Sequence, residues 1–239
     1  MRRRGATIAP LRSWQSFFSL RSRVSTTPEA PDRRRLVRDL LIAVVLIALS
    51  LLADGWVAEH VRFARVYETD WGRMLRNFGY LPFWLLAAIA LALNDRESRE
   101  WWRRGALLAA APTAAGIVGE LLKITVRRMR PPDQGSAYSF RAFSEHPFSS
   151  RGFGFPSSHA VVAFGAAAIL ARLFPRARVV WYAAAVGRAL SRLLAHAHYL
   201  SDVVAAALIG IGAAALLWHY GASRIDREST IAERASAFR

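Results

Sequence analysis

The sequence predicts an all-α protein that is embedded in a membrane as a bundle of six helices. Of its 239 residues, 54% are hydrophobic, which exceeds the roughly 45–50% that is usual for soluble domains. The apolar residues are grouped into six separate segments. Most of the arginines lie between these segments or ahead of the first one, as in chains whose loops contact anionic lipid headgroups.

Each apolar segment is interpreted as a transmembrane helix, because backbone amides in hydrocarbon must be satisfied within the segment itself. The second and fourth segments are short for a span of about 20 residues, so their predicted ends are approximate. In chain order the segments are Leu40–Val57, Phe78–Leu93, Gly105–Val126, His159–Phe174, Val179–Tyr199 and Val203–Tyr220.

The arginines also predict how the bundle is oriented. Ten of them precede the first segment, which places the N-terminus in the cytoplasm. Alternation then puts the gaps 94–104 and 175–178 and the C-terminal tail on the same side. The outer gap 127–158 is the exception, since it is basic although it lies outside; its arginines are Arg127, Arg128, Arg130, Arg141 and Arg151. We expect some of these charges to have a function there.

Three regions are expected along the chain. Residues 1–35 form a basic segment without a core of its own, residues 36–220 form the six-span domain, and residues 221–239 form a cytoplasmic tail. The first region fits either a helix lying on the inner membrane surface or a disordered basic tail, and an organelle transit peptide has a similar composition.

The formal charge of +16 raises the question of nucleic-acid binding. The basic stretches are short and tied to membrane segments, so no nucleic-acid partner is predicted. The expected partners are the phospholipid bilayer and a membrane lipid.

Three polar clusters interrupt the apolar pattern, and alternation places all three at the outer face. "KITVRRMRP" (123–131) ends the third segment, "FPSSHA" (155–160) begins the fourth, and "SRLLAHAHYLSD" (191–202) joins the fifth to the sixth. Ionisable groups at membrane depth are expensive and usually mark a functional site.

The cationic residues of these clusters could bind phosphate. Guanidinium groups grip phosphate oxygens in pairs, and an ammonium adds a compact charge. Lys123 is the one lysine among 33 Lys and Arg residues, which suggests that its size or geometry matters. Interfacial charges that snorkel to the membrane surface are an equally compatible interpretation. The candidates are Lys123, Arg127, Arg128, Arg130 and Arg192.

The other two clusters could supply an anion site and a reactive imidazole. Ser157 and Ser158 stand at a helix start, where free N–H groups and the helix dipole favour anions, although an ordinary capped helix start is the alternative. His198 and Asp202 are four residues apart, so the carboxylate could fix the imidazole tautomer; it could equally cap the last helix. No set of inward carboxylates suits a two-metal phosphatase, and there is no cysteine. Neither a metal nor a cofactor is predicted.

Together the patterns resemble the three signature motifs of the type 2 phosphatidic acid phosphatase (PAP2) superfamily. They read K-x6-R-P from Lys123, P-S-x-H from Pro156 and S-R-x5-H-x3-D from Ser191. The resemblance covers residues 36–220 and implies a PAP2/haloperoxidase-like helical core. Ser158 departs from the glycine that many members have at this position.

The resemblance implies a metal-independent phosphatase that works through a phosphohistidine. His198 would be the nucleophile, Asp202 would orient it, and His159 would act as general acid and then as general base. The phosphate oxygens would be held by Lys123, Arg130, Ser157, Ser158 and Arg192. Arg127 and Arg128 have no role in the motifs and could contact a second phosphate or lipid headgroups.

The expected substrate is the phosphate of a lipid at the periplasmic face of a bacterial inner membrane. Undecaprenyl pyrophosphate, phosphatidylglycerol phosphate, lipid A phosphate and phosphatidic acid are candidates. A phosphotransferase that uses the same phosphohistidine is an alternative, as is a non-enzymatic lipid-binding membrane protein. The latter would normally lack one of the chemical residues.

Overall fold

The computed structural model describes residues 33–96 and 101–236, with side chains described as far as residue 221. The predicted basic segment therefore lies outside the described residues, except for its last three. The helices are α1 (Arg33–His60), α2 (Asp70–Phe78), α3 (Leu81–Asn94), α4 (Trp101–Val126), α5 (Ser158–Leu173), α6 (Arg178–Leu194) and α7 (Leu200–Ser236). Within this part of the chain, β structure is limited to two isolated bridges, so the all-α fold class is confirmed.

Six of the helices correspond to the six predicted segments, and α2 is additional. Pro82 stands at the start of α3, where its missing N–H has no cost. Gly79 ends α2, and a Cβ there would lie 2.7 Å from Cβ and 2.9 Å from the backbone oxygen of His159, so the close approach of α5 requires glycine. At this junction α2 and α3 are bent by 69°.

The fifth segment ends earlier than predicted. Helix α6 stops at Leu194 instead of Tyr199, because His196 adopts a left-handed φ of 50° that turns the chain. His198 therefore lies in the turn between α6 and α7, not on a helix. The last helix runs on to Ser236, beyond the predicted end at Tyr220.

Three of the described helices are long and apolar enough to cross a membrane: α1, α4 and the first part of α7, Leu200–Gly221. The bent pair of α2 and α3 would make a fourth span if it is counted as one. Helix α5 has 16 residues and is about 24 Å long, somewhat less than the roughly 30 Å of bilayer hydrocarbon. The membrane bundle is confirmed, while the count of six spans stays a prediction.

Helix α5 is the centre of the bundle and packs against α4, α6 and α7. An uninterrupted run of it, Ala160–Leu170, is buried. Small side chains allow the close packing, and at the crossing with α7 a Cβ on Gly210 would lie 2.7 Å from the backbone nitrogen of Gly165. Helix α1 packs on α7 and α3 on α4, outside this centre.

The arrangement brings four helix ends together. The C-terminal ends of α4 and α6 and the N-terminal ends of α5 and α7 meet at one end of the bundle. The long connection 127–157 crosses this end, where it is held by the bridges of Arg128 to Phe140 and of Met129 to Phe153.

Candidate active site

The structure places the three polar clusters of the sequence side by side. Arg128 of the first cluster forms a buried ion pair with Asp202 of the third. The backbone nitrogen of Ser157, from the second cluster, donates to the carbonyl oxygen of Asp202 at 3.1 Å. Ser158 Oγ donates to Glu120 of α4 at 2.6 Å. Residues far apart in the chain thus share one polar site at the end of the bundle.

His198 is buried and held on both ring nitrogens. Its Nδ1 lies 2.9 Å from the carbonyl oxygen of Gly154 and 3.4 Å from Oδ2 of Asp202. Both oxygens accept, so Nδ1 carries the hydrogen and Nε2 keeps its lone pair. Nε2 faces Nη2 of Arg192 at 3.2 Å, which directs the lone pair toward the cationic side of the site.

The surroundings of His198 favour its neutral form. Burial lowers its pKa from 6.5 to about 4, and the charges of Arg192 and Lys123 act in the same direction, against the opposing effect of Asp202. Neutral imidazole is the nucleophilic form. The surroundings therefore keep His198 neutral well into the acidic range.

Asp202 is fully buried and accepts from several donors. Its Oδ2 accepts the backbone N–H of Tyr199 at 2.8 Å, and Oδ1 accepts from Arg128. Gly154 approaches so closely that a Cβ there would lie 2.9 Å from Oδ2. A glycine at 154 thus lets one backbone segment contact both the imidazole and its carboxylate.

The start of α5 offers the hydroxyls and the second histidine. Ser157 stands at the N-cap position, but its side chain makes no capping hydrogen bond, and its buried hydroxyl has no protein partner. An unpartnered buried hydroxyl at a helix N-terminus is suited to an anion. The next residues, Ser158 and His159, line a groove beside the site. The charges of Lys123 and Arg192 act on His159.

The cationic residues surround the same space. Lys123 is buried, with its Nζ 3.9 Å from Glu120. Burial, followed by the charge of Arg192, lowers the pKa of Arg130. Arg192 has an Nε that is buried and has no partner. Crowded cations of this kind would be stabilised by a bound dianion.

Two residues near Arg192 had not been assigned to the site from sequence. Tyr67 accepts hydrogen bonds from Nη1 of Arg188 at 3.0 Å and of Arg192 at 3.3 Å. Burial raises the pKa of Tyr67, but the charges of Arg192 and Arg188 outweigh this effect and hold its pKa below 10.0. Arg188 lies one helical turn before Arg192, and this spacing could have indicated from the sequence that Arg188 belongs to the site. No feature of the sequence indicates Tyr67.

Arg127 and Arg128, the two accessory candidates, are buried and bound by other groups of the protein. Arg127 is 1% exposed, and its guanidinium donates to four backbone carbonyls of the 127–157 connection, those of Arg141, Ala142, Glu145 and Pro147. Arg128 is 5% exposed and is engaged by Asp202 and Ser201. Both side chains organise the protein around the site.

A groove leads laterally from the site between α3 and α4. It has a volume of about 520 Å³. Its lining is mainly apolar and includes Leu81, Pro82, Ile117 and Leu121, together with Gly116. His159 and Glu120 stand at the polar end. An apolar groove that ends at an anion site fits a molecule with a phosphate head and an apolar chain.

No group of three or more His, Cys, Asp or Glu residues with metal-ligand geometry occurs among the described side chains of residues 33–96 and 101–221. The polar groups that converge here are imidazoles, cations and hydroxyls. This combination, in a bundle of membrane helices, is typical of a membrane enzyme that acts on a phosphate ester.

Comparison with known proteins identifies the family. The PAP2 superfamily model matches residues 104–226. The lipid A 1-phosphatase of Rhizobium etli is 32% identical over 189 residues, covering 72% of this chain and 78% of that protein. The decaprenylphosphoryl-5-phosphoribose phosphatase of Mycobacterium tuberculosis is 32% identical over 146 residues, 61% of this chain and 73% of that protein.

A solved structure supports the fold. The crystal structure of a transmembrane PAP2-type phosphatidylglycerolphosphate phosphatase from Bacillus subtilis superposes with a TM-score of 0.54, covering 78% of this chain and 96% of that one at 18% identity. The chain belongs to the PAP2 superfamily, as the sequence motifs predicted. It is a PAP2 phosphatase of lipid substrates.

Proposed function

We propose that this phosphatase hydrolyses a lipid phosphate without a metal ion, through a phosphohistidine on Nε2 of His198. The observation that carries the proposal is the hydrogen bond of Nδ1 to the carbonyl of Gly154. It leaves Nε2 as the nucleophilic atom, and Nε2 faces the cationic groups that would bind the phosphate.

In the first step, Nε2 of His198 attacks phosphorus and the bond from phosphorus to the lipid oxygen breaks. His159 donates a proton to that departing oxygen, and the lipid leaves as an alcohol or, from a pyrophosphate, as a monophosphate. In the second step, His159 takes a proton from water, whose oxygen attacks the phosphohistidine. Inorganic phosphate leaves and both imidazoles are restored.

The remaining residues stabilise charge. Lys123, Arg130 and Arg192 hold the non-bridging oxygens, with Ser157 and the start of α5, as negative charge builds up in the transition state. Asp202 stabilises the positive charge that His198 acquires on attack. Ser158 donates its hydroxyl to Glu120, so we expect it to bind the phosphate through its backbone N–H in the first turn of α5.

The lateral groove supports a substrate that stays in the bilayer while its phosphate is cleaved. The names of the relatives make lipid A 1-phosphate the first compound to test. Phosphatidylglycerol phosphate, undecaprenyl pyrophosphate and phosphatidic acid are the comparison substrates.

Purified protein in detergent, assayed for phosphate release with this panel, tests the proposed function. We expect release from at least one lipid, full activity in EDTA and inhibition by vanadate, which mimics pentacoordinate phosphorus. Loss of activity in EDTA that added metal restores would contradict the metal-free mechanism. Phosphate that appears only on an added alcohol acceptor would indicate a phosphotransferase instead.

We further propose six spans on the basis of the six apolar segments, and cytoplasmic termini and a periplasmic site on the basis of the arginine distribution. The chain contains no cysteine, so single introduced cysteines can report the topology. In intact cells, a membrane-impermeant maleimide should label Ser144→Cys, in the connection over the site, and should not label Arg176→Cys at the opposite end. The reverse pattern would place the site in the cytoplasm.

A further inference from the structure

Asp54 is a buried carboxylate on α1, a helix that lies outside the residues matched by the superfamily model. We propose that Asp54 is a positioning residue for the catalytic pair His198 and Asp202, acting through Ser201 and Arg128. The inference rests on the proposed function of His198. A carboxylate in an apolar helix is expensive, and Asp54 is 1% exposed, so its partners should explain its presence.

Asp54 binds the first turn of α7. Its Oδ1 accepts the backbone N–H of Ser201 at 2.7 Å, and its Oδ2 accepts the hydroxyl of the same serine. The first N–H groups of a helix have no partner within the helix, so Asp54 caps α7 from a neighbouring helix. Because Asp202 is the next residue, this cap sets the position of the carboxylate that faces His198.

Asp54 also shares Arg128 with Asp202. Nη1 of Arg128 lies 3.8 Å from Oδ2 of Asp54, while Nη2 pairs with Asp202 and donates to Ser201 Oγ at 2.7 Å. The hydroxyl of Tyr138 donates to Asp54 at 2.7 Å. Every polar atom of the Asp54 carboxylate is therefore engaged.

The charges of this group have a consequence for catalysis. One guanidinium between two carboxylates leaves one net negative charge beside His198. That charge stabilises the imidazole when it becomes positive during attack on phosphorus. If Asp54 were neutral, Arg128 would balance Asp202 alone, and it would draw that carboxylate away from the imidazole.

Three variants of purified protein test this role: Asp54→Asn, Asp54→Glu and the control Ser50→Ala. Ser50 is buried one turn earlier on α1, and its hydroxyl bonds only to Ile47 of the same helix. Each variant is assayed across a range of pH for phosphate release from the preferred lipid. The rate is divided by the amount of enzyme that can form the phosphohistidine, so that kcat refers to folded, active molecules alone. Thermal unfolding is measured in parallel.

We expect Asp54→Asn to lower kcat about 10- to 100-fold, because small displacements of a reacting group have effects of that size. The pH at which His198 becomes protonated should also fall, since the surrounding charge is more positive. The charged or titratable groups that face His198 are Asp202, Arg192, Lys123 and His159, with Arg128 behind Asp202. In Asp54→Glu, which keeps the carboxylate, the acid limb of the kcat–pH profile should return to its wild-type position. Ser50→Ala should match the wild type in both kcat and pH profile.

Wild-type kcat and pH profile in Asp54→Asn, with an inactive His198→Ala, would overturn the inference and leave the proposed function standing. Activity in His198→Ala would instead overturn the proposed function itself. If Asp54→Asn does not fold, Ser201→Ala and Tyr138→Phe each remove one hydrogen bond to the same carboxylate. A reduced kcat per active site in either would support the role, and unchanged kinetics in both would refute it.

Discussion

Nδ1 of His198 and the carbonyl oxygen of Gly154 lie 2.9 Å apart, although 44 positions separate the two residues in the chain. A carbonyl can only accept, so this contact selects the tautomer of the histidine. The opposite nitrogen, Nε2, is left to face Arg192. A backbone group thus cooperates with Asp202 to orient the imidazole.

Replacing His198 by alanine should lower phosphate release by about 10³-fold or more, because the covalent route is lost. Acid-quenched wild-type enzyme should contain a phosphohistidine that is absent from this variant. His196→Ala is the matched control: His196 lies in the same turn and binds the carbonyl of Pro132 at 2.8 Å, away from His198. If His198→Ala released phosphate as fast as an active His196→Ala, the assignment of His198 as the nucleophile would be refuted.

The pH dependence of kcat/KM should reflect the lowered pKa of His198. With that pKa at about 4, because of burial and the nearby cations, the nucleophile stays neutral above this pH. The acid limb that His198 contributes should therefore lie near pH 4 and not near 6.5. Ionisation of the substrate phosphate can also produce an acid limb, so the profile is corrected for the fraction of substrate in each ionisation state. An acid limb at pH 6.5 that remains after this correction would contradict the proposed environment of His198.

Conformational stability should fall over the same pH range. The pKa of His198 is lower in the folded protein than its ordinary 6.5, so the unfolded chain takes up the proton first. The stabilisation is complete above about pH 6.5 and is lost as the pH falls toward 4. Thermal unfolding of wild type and His198→Gln between pH 4 and 7 should show a flatter dependence for the variant. Parallel curves would exclude this contribution.

Arg127→Lys should destabilise the protein while leaving substrate binding almost unchanged. Its guanidinium donates to four carbonyls and lies over Phe143 and Phe153; lysine cannot reproduce this geometry. Loss of buried partners should cost about 2 kcal/mol or more, visible as a lower Tm. The exposed Arg151, changed to lysine, is the control. A large rise in KM with an unchanged Tm would instead support the accessory phosphate role expected from sequence.

A larger side chain in the lateral groove should lower kcat/KM for lipid phosphates more than for a small phosphate ester. Gly116 lines the groove, and a Cβ there would be 3.6 Å from Val162, so the start of a side chain is tolerated. We expect Gly116→Leu to reduce kcat/KM for a long-chain lipid phosphate about tenfold and to change that for p-nitrophenyl phosphate little. Gly212→Leu is the control, since a Cβ at Gly212 meets no atom within 4 Å. Equal effects on both substrates would place the lipid chain elsewhere.

Much of the fold follows from local pattern. Sustained apolar runs must be helical where water is absent, and their number, order and approximate ends were predicted without coordinates. The ends that depend on single backbone angles were not predicted, such as the left-handed His196 that stops α6. The bend between α2 and α3 was not predicted either; it lies where Gly79 packs closely against His159 of α5.

The sequence by itself determined the class of fold, the superfamily and the three clusters that meet in the site, because spacing within a motif and apolar runs along a helix are local properties. Only the tertiary structure decided the partners of each charge. Arg127 and Arg128 look alike in the sequence, yet one binds backbone carbonyls and the other bridges Asp54 and Asp202. Such assignments depend on atoms brought together by packing over long separations, and linear spacing carries no information about them.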